Sequence, residues 1–297
     1  MQVAVIGLGS MGMGAALSLL RAGHAVAGLE PRPEARAAFA DAGGTAVARG
    51  AELPQGTEAV VVFTVNAAQA AAALFGPDGA APRLAPDAVL IVSATMAPAD
   101  ARDLAAQAAA HGLLYVDAPV SGGAARARDG QLTLMVAGSP AAMARAEPVL
   151  AAIAAKIWTL GEEPGQGATM KVVHQLLAGV HIAVAAEAMA LGIKAGIAPE
   201  RLFEIVTNAA GNSWMFENRM PHVLAGDTTP HSAVNIFVKD LGLVGDLARE
   251  VAFPVPLAAM AHQLFVSAAA QGHGGIDDAF VIRAYQALSG ITLPKAG

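Results

Sequence analysis

An apolar strand, a glycine-spaced turn and a helix follow one another at the start of this chain, in "VAVIGLGSMGMGAALSLLRAGHAVAGLE". A strand that ends in Gly7-x-Gly9-x-x-Gly12 and opens a helix leaves few folds to choose from. Gly7 permits the tight turn, Gly9 lets a diphosphate approach the backbone, and Gly12 lets the helix pack closely. Leu8, Ser10 and Met11 supply the intervening backbone, so N–H groups at a helix N-terminus face an anion. The spacing alone is weak in a chain with 32 glycines. Its place between strand and helix, with Glu30 closing the next strand, makes it specific, against the alternative of a purely structural βα turn. Glu30 is expected to accept from adenosine ribose hydroxyls and to repel a 2′-phosphate, which favours NAD over NADP. Arg32 works against that preference, because it can reach a phosphate.

The alternation continues. "QVAVIGL", "HAVAGLE", "AVVVFTV", "AVLIVSA", "LLYVDAP" and "LTLMVAG" read as strands, separated by Ala-rich helical stretches. Continuous apolar runs of this kind predict a parallel sheet covered on both faces. Beyond "GEEPGQGA" the strand signal stops and helical patterns fill the rest. The expected class is therefore α/β, with a Rossmann-type dinucleotide-binding domain over residues 1–163 and an all-helical domain over 164–297. Hydrophobic residues make up 55% of the chain and charged residues 14%, which excludes disorder. The net charge of −6, with no Lys/Arg block, argues against a nucleic-acid partner. With no cysteine, disulfides, thiolate nucleophiles and Cys-ligated zinc are excluded, and the eight histidines show no HExxH spacing, so no metal is expected. The start of the chain lacks signal-peptide features. The most apolar segment, 176–198, is interrupted by His181, Glu187 and Lys194, and reads as a core or subunit-interface helix. A cytoplasmic protein without membrane spans is the expectation.

The ends of later strands should face the dinucleotide crevice, making Thr64, Val65, Asn66 and Thr95 candidate cofactor contacts or else ordinary loop residues. Ser121-Gly122-Gly123, just beyond a strand, is either a carboxylate nest or a glycine turn. In "GATMKVVHQLLAGVHIAVAAEAM", Lys171, His174, Gln175, Ala178, His181 and Ile182 fall on one helical stripe. Polar groups on so apolar a helix suggest a site. His181 is read as a core histidine, and Trp214 and Phe216 as packing aromatics.

"GLGSMGMGAALSLLRAGH", "DAPVSGGAARARDGQLTLMVAG", "GQGATMKVVHQ" and "FVKDLGL" resemble the four signature segments of the β-hydroxyacid dehydrogenase family, in its order and spacing. The resemblance implies that Lys171 is the catalytic acid/base and that Ser121, Gly122 and Gly123 bind the substrate carboxylate. It also implies that Lys239 closes on cofactor and substrate. Most members carry two asparagines three and four residues after the lysine, where this chain has His174 and Gln175. Those residues, with "GNSWMFENRMPHVLAGD", resemble the L-threonate branch instead.

The resemblance implies NAD-dependent oxidation of a short sugar acid. A 3-hydroxyisobutyrate dehydrogenase or tartronate semialdehyde reductase is the alternative, and a silent cofactor-binding scaffold the alternative of another class. A free lysine, with pKa about 10.4, is a poor base at neutral pH. Burial on an apolar helix and a positive nicotinamide ring would both disfavour its charge. His174 and Gln175 would read substrate hydroxyls, Lys239 would pair with the carboxylate, and Asp240 would orient Lys239. The apolar interdomain helix predicts a homodimer or homotetramer through the C-terminal domain.

Overall fold

The glycine turn joins strand β1 (Gln2–Ile6) to helix α1 (Ser10–Arg21), and β2 (Ala25–Leu29) returns parallel to β1, with Val3 opposite Val26 and Ile6 opposite Leu29. The structure is a computed structural model and describes residues 1–294. After β2 come α2 (Pro33–Asp41), β3 (Thr45–Val47), β4 (Thr57–Val62), α3 (Ala67–Phe75), β5 (Leu84–Val92), α4 (Pro98–Ala110) and β6 (Leu114–Asp117). Then follow β7 (Val120–Ser121), α5 (Gly123–Arg128), β8 (Leu132–Ala137), α6 (Pro140–Ile153) and β9 (Ala154–Gly161). The sheet order is β3-β2-β1-β4-β5-β6-β8-β7, with β9 pairing β8. Order reverses at β1, which puts a crevice at the ends of β1 and β4.

Period two explains why the strands read as unbroken apolar runs. Val3 and Val5 of β1 point into one buried core, while Ala4 and Ile6 point into a second on the opposite face.

The sheet departs from the expected set of six parallel strands. Strand β8 runs antiparallel to β6 and β7, because the short link through α5 is too brief for the crossover that a parallel return needs. Strand β9, "AAKIWTLG", was not expected, since most of it is exposed on both faces and it carries no buried apolar alternation.

Two compact units account for the chain, Met1–Lys171 and Val172 onward. The 29-residue helix α7 (Gln166–Lys194) begins in the first and supplies the core of the second. There, Ile182, Ala186 and Met189 pack into one buried cluster with residues of α10 (Val234–Glu250) and α11 (Pro256–Ala268), among them Phe237, Leu241 and Phe265. The remaining helices are α8 (Pro199–Thr207), α9 (Trp214–Ala225) and α12 (Ile282–Ser289). Gly179 brings α7 and α10 together, since a Cβ there would sit 2.9 Å from Leu241 Cδ2. By length and composition α7 could cross a membrane, but half of its most apolar window is buried. Along the predicted stripe Lys171, Gln175, Ala178 and Ile182 are buried and His174 is half-buried. His181, expected in the core, is also only half-buried, because at about 100° per residue it falls at the edge of the stripe.

Candidate active site

The first unit gathers its site along the C-terminal edge of the sheet. Gly7 continues β1 past its end, donating to Leu29 O at 2.9 Å, and Phe63 N–H donates to Ile6 O at 2.8 Å. At φ +90° Gly7 adopts a conformation that favours glycine, and a Cβ there would lie 2.8 Å from Phe63 O. Gly12 is more constrained still, since its Cβ would lie 1.8 Å from Gly7 O. Gly9 differs from both: nothing lies within 4 Å of where its Cβ would be. It occupies the N-cap of α1 and provides no side-chain cap, so the N–H groups of Ser10, Met11 and Gly12 have no intrahelical acceptor. A cradle closed to side chains but open at Gly9 fits a diphosphate. At the end of β5, the buried Ser93 hydroxyl has no hydrogen-bond partner among the described residues, which adds an unsatisfied polar group on the same edge.

Glu30 is 4% exposed. Its Oε2 accepts from Leu8 N–H at 2.9 Å, which ties the glycine turn to the end of β2. Arg32 grips both carboxylate oxygens, Nε to Oε1 at 2.8 Å and Nη2 to Oε2 at 3.1 Å. Burial pushes the Glu30 pKa up, but the bonds from Arg32 and Leu8 outweigh it and hold the group below the usual glutamate range. Arg32 thus pairs with the residue assigned to the ribose rather than reaching outward. Thr64 donates to Asn66 O at 3.0 Å, and Asn66 Oδ1 caps α3 by accepting from Gln69 N–H at 2.9 Å. Val65 is exposed, and Thr95 lies half-buried beyond β5.

Lys171, 8% exposed, donates from Nζ to Val120 O at 2.8 Å. Its ammonium therefore lies against the strand end that carries Ser121, Gly122 and Gly123. Both glycines have positive φ, +137° and +77°. The start of α7 is held by Asp117, whose Oδ2 accepts from Gly165 N–H at 3.1 Å and Ala168 N–H at 2.8 Å. Burial raises the Asp117 pKa to about 6, against those N–H bonds. Sequence reading missed Asp117, although it opens the quoted "DAPVSGG". Its partners lie about fifty positions away, and only the fold reveals them.

In the second unit, Gln175 Nε2 donates to Asp240 Oδ2 at 2.5 Å and His174 Nδ1 lies 3.0 Å from Gln175 Oε1. Asp240 Oδ1 forms an ion pair with Lys239 Nζ at 2.6 Å. Gln175 has both polar ends engaged. Trp214 is exposed at the start of α9, and Phe216 is buried.

The chain is similar to known proteins along nearly its whole length. Residues 2–161 match the family model described as the NAD binding domain of 6-phosphogluconate dehydrogenase. Residues 165–285 match that described as NAD-binding of NADP-dependent 3-hydroxyisobutyrate dehydrogenase. An L-threonate dehydrogenase of Cupriavidus necator is 54% identical, covering 98% of this chain and 97% of its own. Another, from Escherichia coli strain K12, is 52% identical over 99% and 97%. A crystal structure of a 3-hydroxyisobutyrate dehydrogenase from Salmonella typhimurium has 51% identity and TM-score 0.91, over 95% of this chain and 98% of its own. With matches of this extent over a glycine-cradled Rossmann domain and a helical second unit, the chain belongs to the β-hydroxyacid (3-hydroxyisobutyrate) dehydrogenase family of hydroxy-acid oxidoreductases.

Proposed function

We propose that the chain oxidises the C2 hydroxyl of L-threonate to the 2-oxo acid with NAD, using Lys171 as acid/base. The carrying observation is the buried Lys171 ammonium against Val120 O, beside Ser121 and one helical turn before His174 and Gln175. Bound NAD would supply the hydride acceptor. As a neutral amine, Lys171 Nζ takes the C2 hydroxyl proton while the carbon–oxygen double bond forms; in the reverse direction the ammonium returns it. Val120 O fixes where that proton is held. Ser121 with the Gly122 and Gly123 backbone, and Lys239, are assigned to the carboxylate. Gly7 to Gly12 would hold the diphosphate and Glu30 the adenosine ribose, and Thr64, Val65, Asn66 and Thr95 would contact the nicotinamide half. Two L-threonate dehydrogenases at 52–54% identity, with His174 and Gln175 where most members have asparagines, support the substrate.

A smaller 3-hydroxy acid is the second reading, favoured by the name of the Salmonella relative. A panel of L-threonate, 3-hydroxyisobutyrate and three-carbon hydroxy acids, each with NAD and NADP, separates the two. Highest kcat/KM on L-threonate with NAD is expected, and highest kcat/KM on 3-hydroxyisobutyrate would overturn the assignment. Lys171→Ala should lower turnover by roughly 10² to 10⁴, the scale of a positioned proton-transfer group, with NAD affinity unchanged. Near-native turnover in that variant would remove Lys171 from the chemistry. We also infer a homo-oligomer through the outward face of α7.

A further inference from the structure

The second unit contains a line of four polar side chains, Lys239, Asp240, Gln175 and His174, each within 3.0 Å of the next. Asp240, 1% exposed, stands at its centre. One oxygen meets the Lys239 ammonium at 2.6 Å and the other meets the Gln175 amide at 2.5 Å. An ionised carboxylate only accepts, so Gln175 must present its NH₂ to Asp240. That orientation turns Gln175 Oε1 toward His174, 3.0 Å from Nδ1. A carbonyl oxygen also only accepts, so Nδ1 must carry the proton. In the neutral imidazole the other nitrogen, Nε2, is then an acceptor.

We propose that Asp240 is a positioning residue that fixes His174, through Gln175, as the Nδ1–H tautomer, so that the ring meets substrate as a hydrogen-bond acceptor and favours acids carrying a hydroxyl beyond the one oxidised. Selection by His174 rests on the reading of the substrate above; the tautomer does not. An acceptor rewards a hydroxyl and gains nothing from a methyl or hydrogen in the same place. A buried carboxylate that only accepts denies the Gln175 amide the freedom to turn either end toward it.

The decisive variant is Asp240→Asn, whose amide can donate as well as accept, which frees Gln175 to flip. Long-range ¹H–¹⁵N spectra of the labelled full chain report imidazole tautomers, and His174→Asn identifies the signal that belongs to His174. The wild type should show Nδ1–H, and Asp240→Asn should shift the signal toward Nε2–H. In parallel, the ratio of kcat/KM on L-threonate to that on 3-hydroxypropionate should fall roughly 5- to 100-fold in Asp240→Asn, the range of one hydrogen bond to a buried group. Gln175→Met, which interrupts the line without touching the carboxylate, should give the same fall and guards against a folding defect in the first variant. Asp240→Glu should restore part of the ratio. An Nε2–H signal in the wild type, or one unmoved by Asp240→Asn, would overturn the positioning role. A tautomer that shifts while the ratio stays constant would overturn the selection. A protein inactive on L-threonate would refute the proposed substrate instead, and the spectra would still decide the tautomer.

Discussion

At the scale of single residues, the glycines of the first turn have different jobs, and their surroundings separate them. A methyl at Gly12 would lie 1.8 Å from a backbone oxygen, a clash no side-chain rotation relieves. Gly12→Ala should therefore cost about 1–3 kcal/mol of stability and abolish cofactor binding together. At Gly9 a methyl meets nothing of the protein within 4 Å. Gly9→Ala should melt like the wild type yet bind NADH much more weakly, because the methyl would stand where the diphosphate approaches. Thermal melts paired with NADH fluorescence titration check both, and a Gly9→Ala chain that bound NADH normally would remove the diphosphate from this turn. The turn at Gly7 and the close packing at Gly12 were legible in the sequence, because glycine spacing between strand and helix is a local property. The hold of Arg32 on Glu30 was not, since nothing in "EPR" says which way the guanidinium folds.

At the scale of elements, α7 is tied down by a residue from a strand far away in sequence. Asp117 at the end of β6 accepts from two N–H groups at the helix start, and burial lifts its pKa from 3.8 to about 6. The folded chain therefore binds this proton more readily than the unfolded one. Ionisation of Asp117 weakens folding as pH rises through about 4 to 6, and the deficit is fully present above that window. The expected size is about 1.4 kcal/mol per unit of pKa difference. Urea denaturation of wild type and Asp117→Asn at pH 4.5 and 7 tests this. Relative to the variant, the wild type should be more stable at the lower pH, and a difference independent of pH would contradict the assignment. The existence of α7 was readable from its periodicity. Its anchor was not, because a cap contributed from about fifty positions away leaves no local pattern.

At the scale of the whole molecule, α7 has a second apolar face. Met170, Val173, Leu177, Val184 and Leu191 are all exposed, spaced three, four, seven and seven residues apart, as on one seam of a helix about 44 Å long. A seam of this length suits a second copy of the same helix. Leu177→Glu with Val184→Glu should reduce the assembly to monomers, read by sedimentation at micromolar concentration. A wild-type monomer at that concentration would end the inference. NADH binding should survive the substitution, because neither residue belongs to the glycine cradle.

The sequence by itself determined the Rossmann-type class, the glycine turn, Glu30 and the polar stripe that contains Lys171. Each is written in short-range order: period two in the strands, period 3.6 in the helix, fixed spacing in the turn. Tertiary structure decided the rest. It made β8 antiparallel and β9 an exposed edge strand, left His181 half-buried, and gave Gln175 to Asp240 instead of leaving its amide uncommitted. These outcomes depend on which distant segments meet. A hydrogen bond between residues 175 and 240, like a cap from 117 to 168, is fixed by packing geometry that no local window of residues encodes.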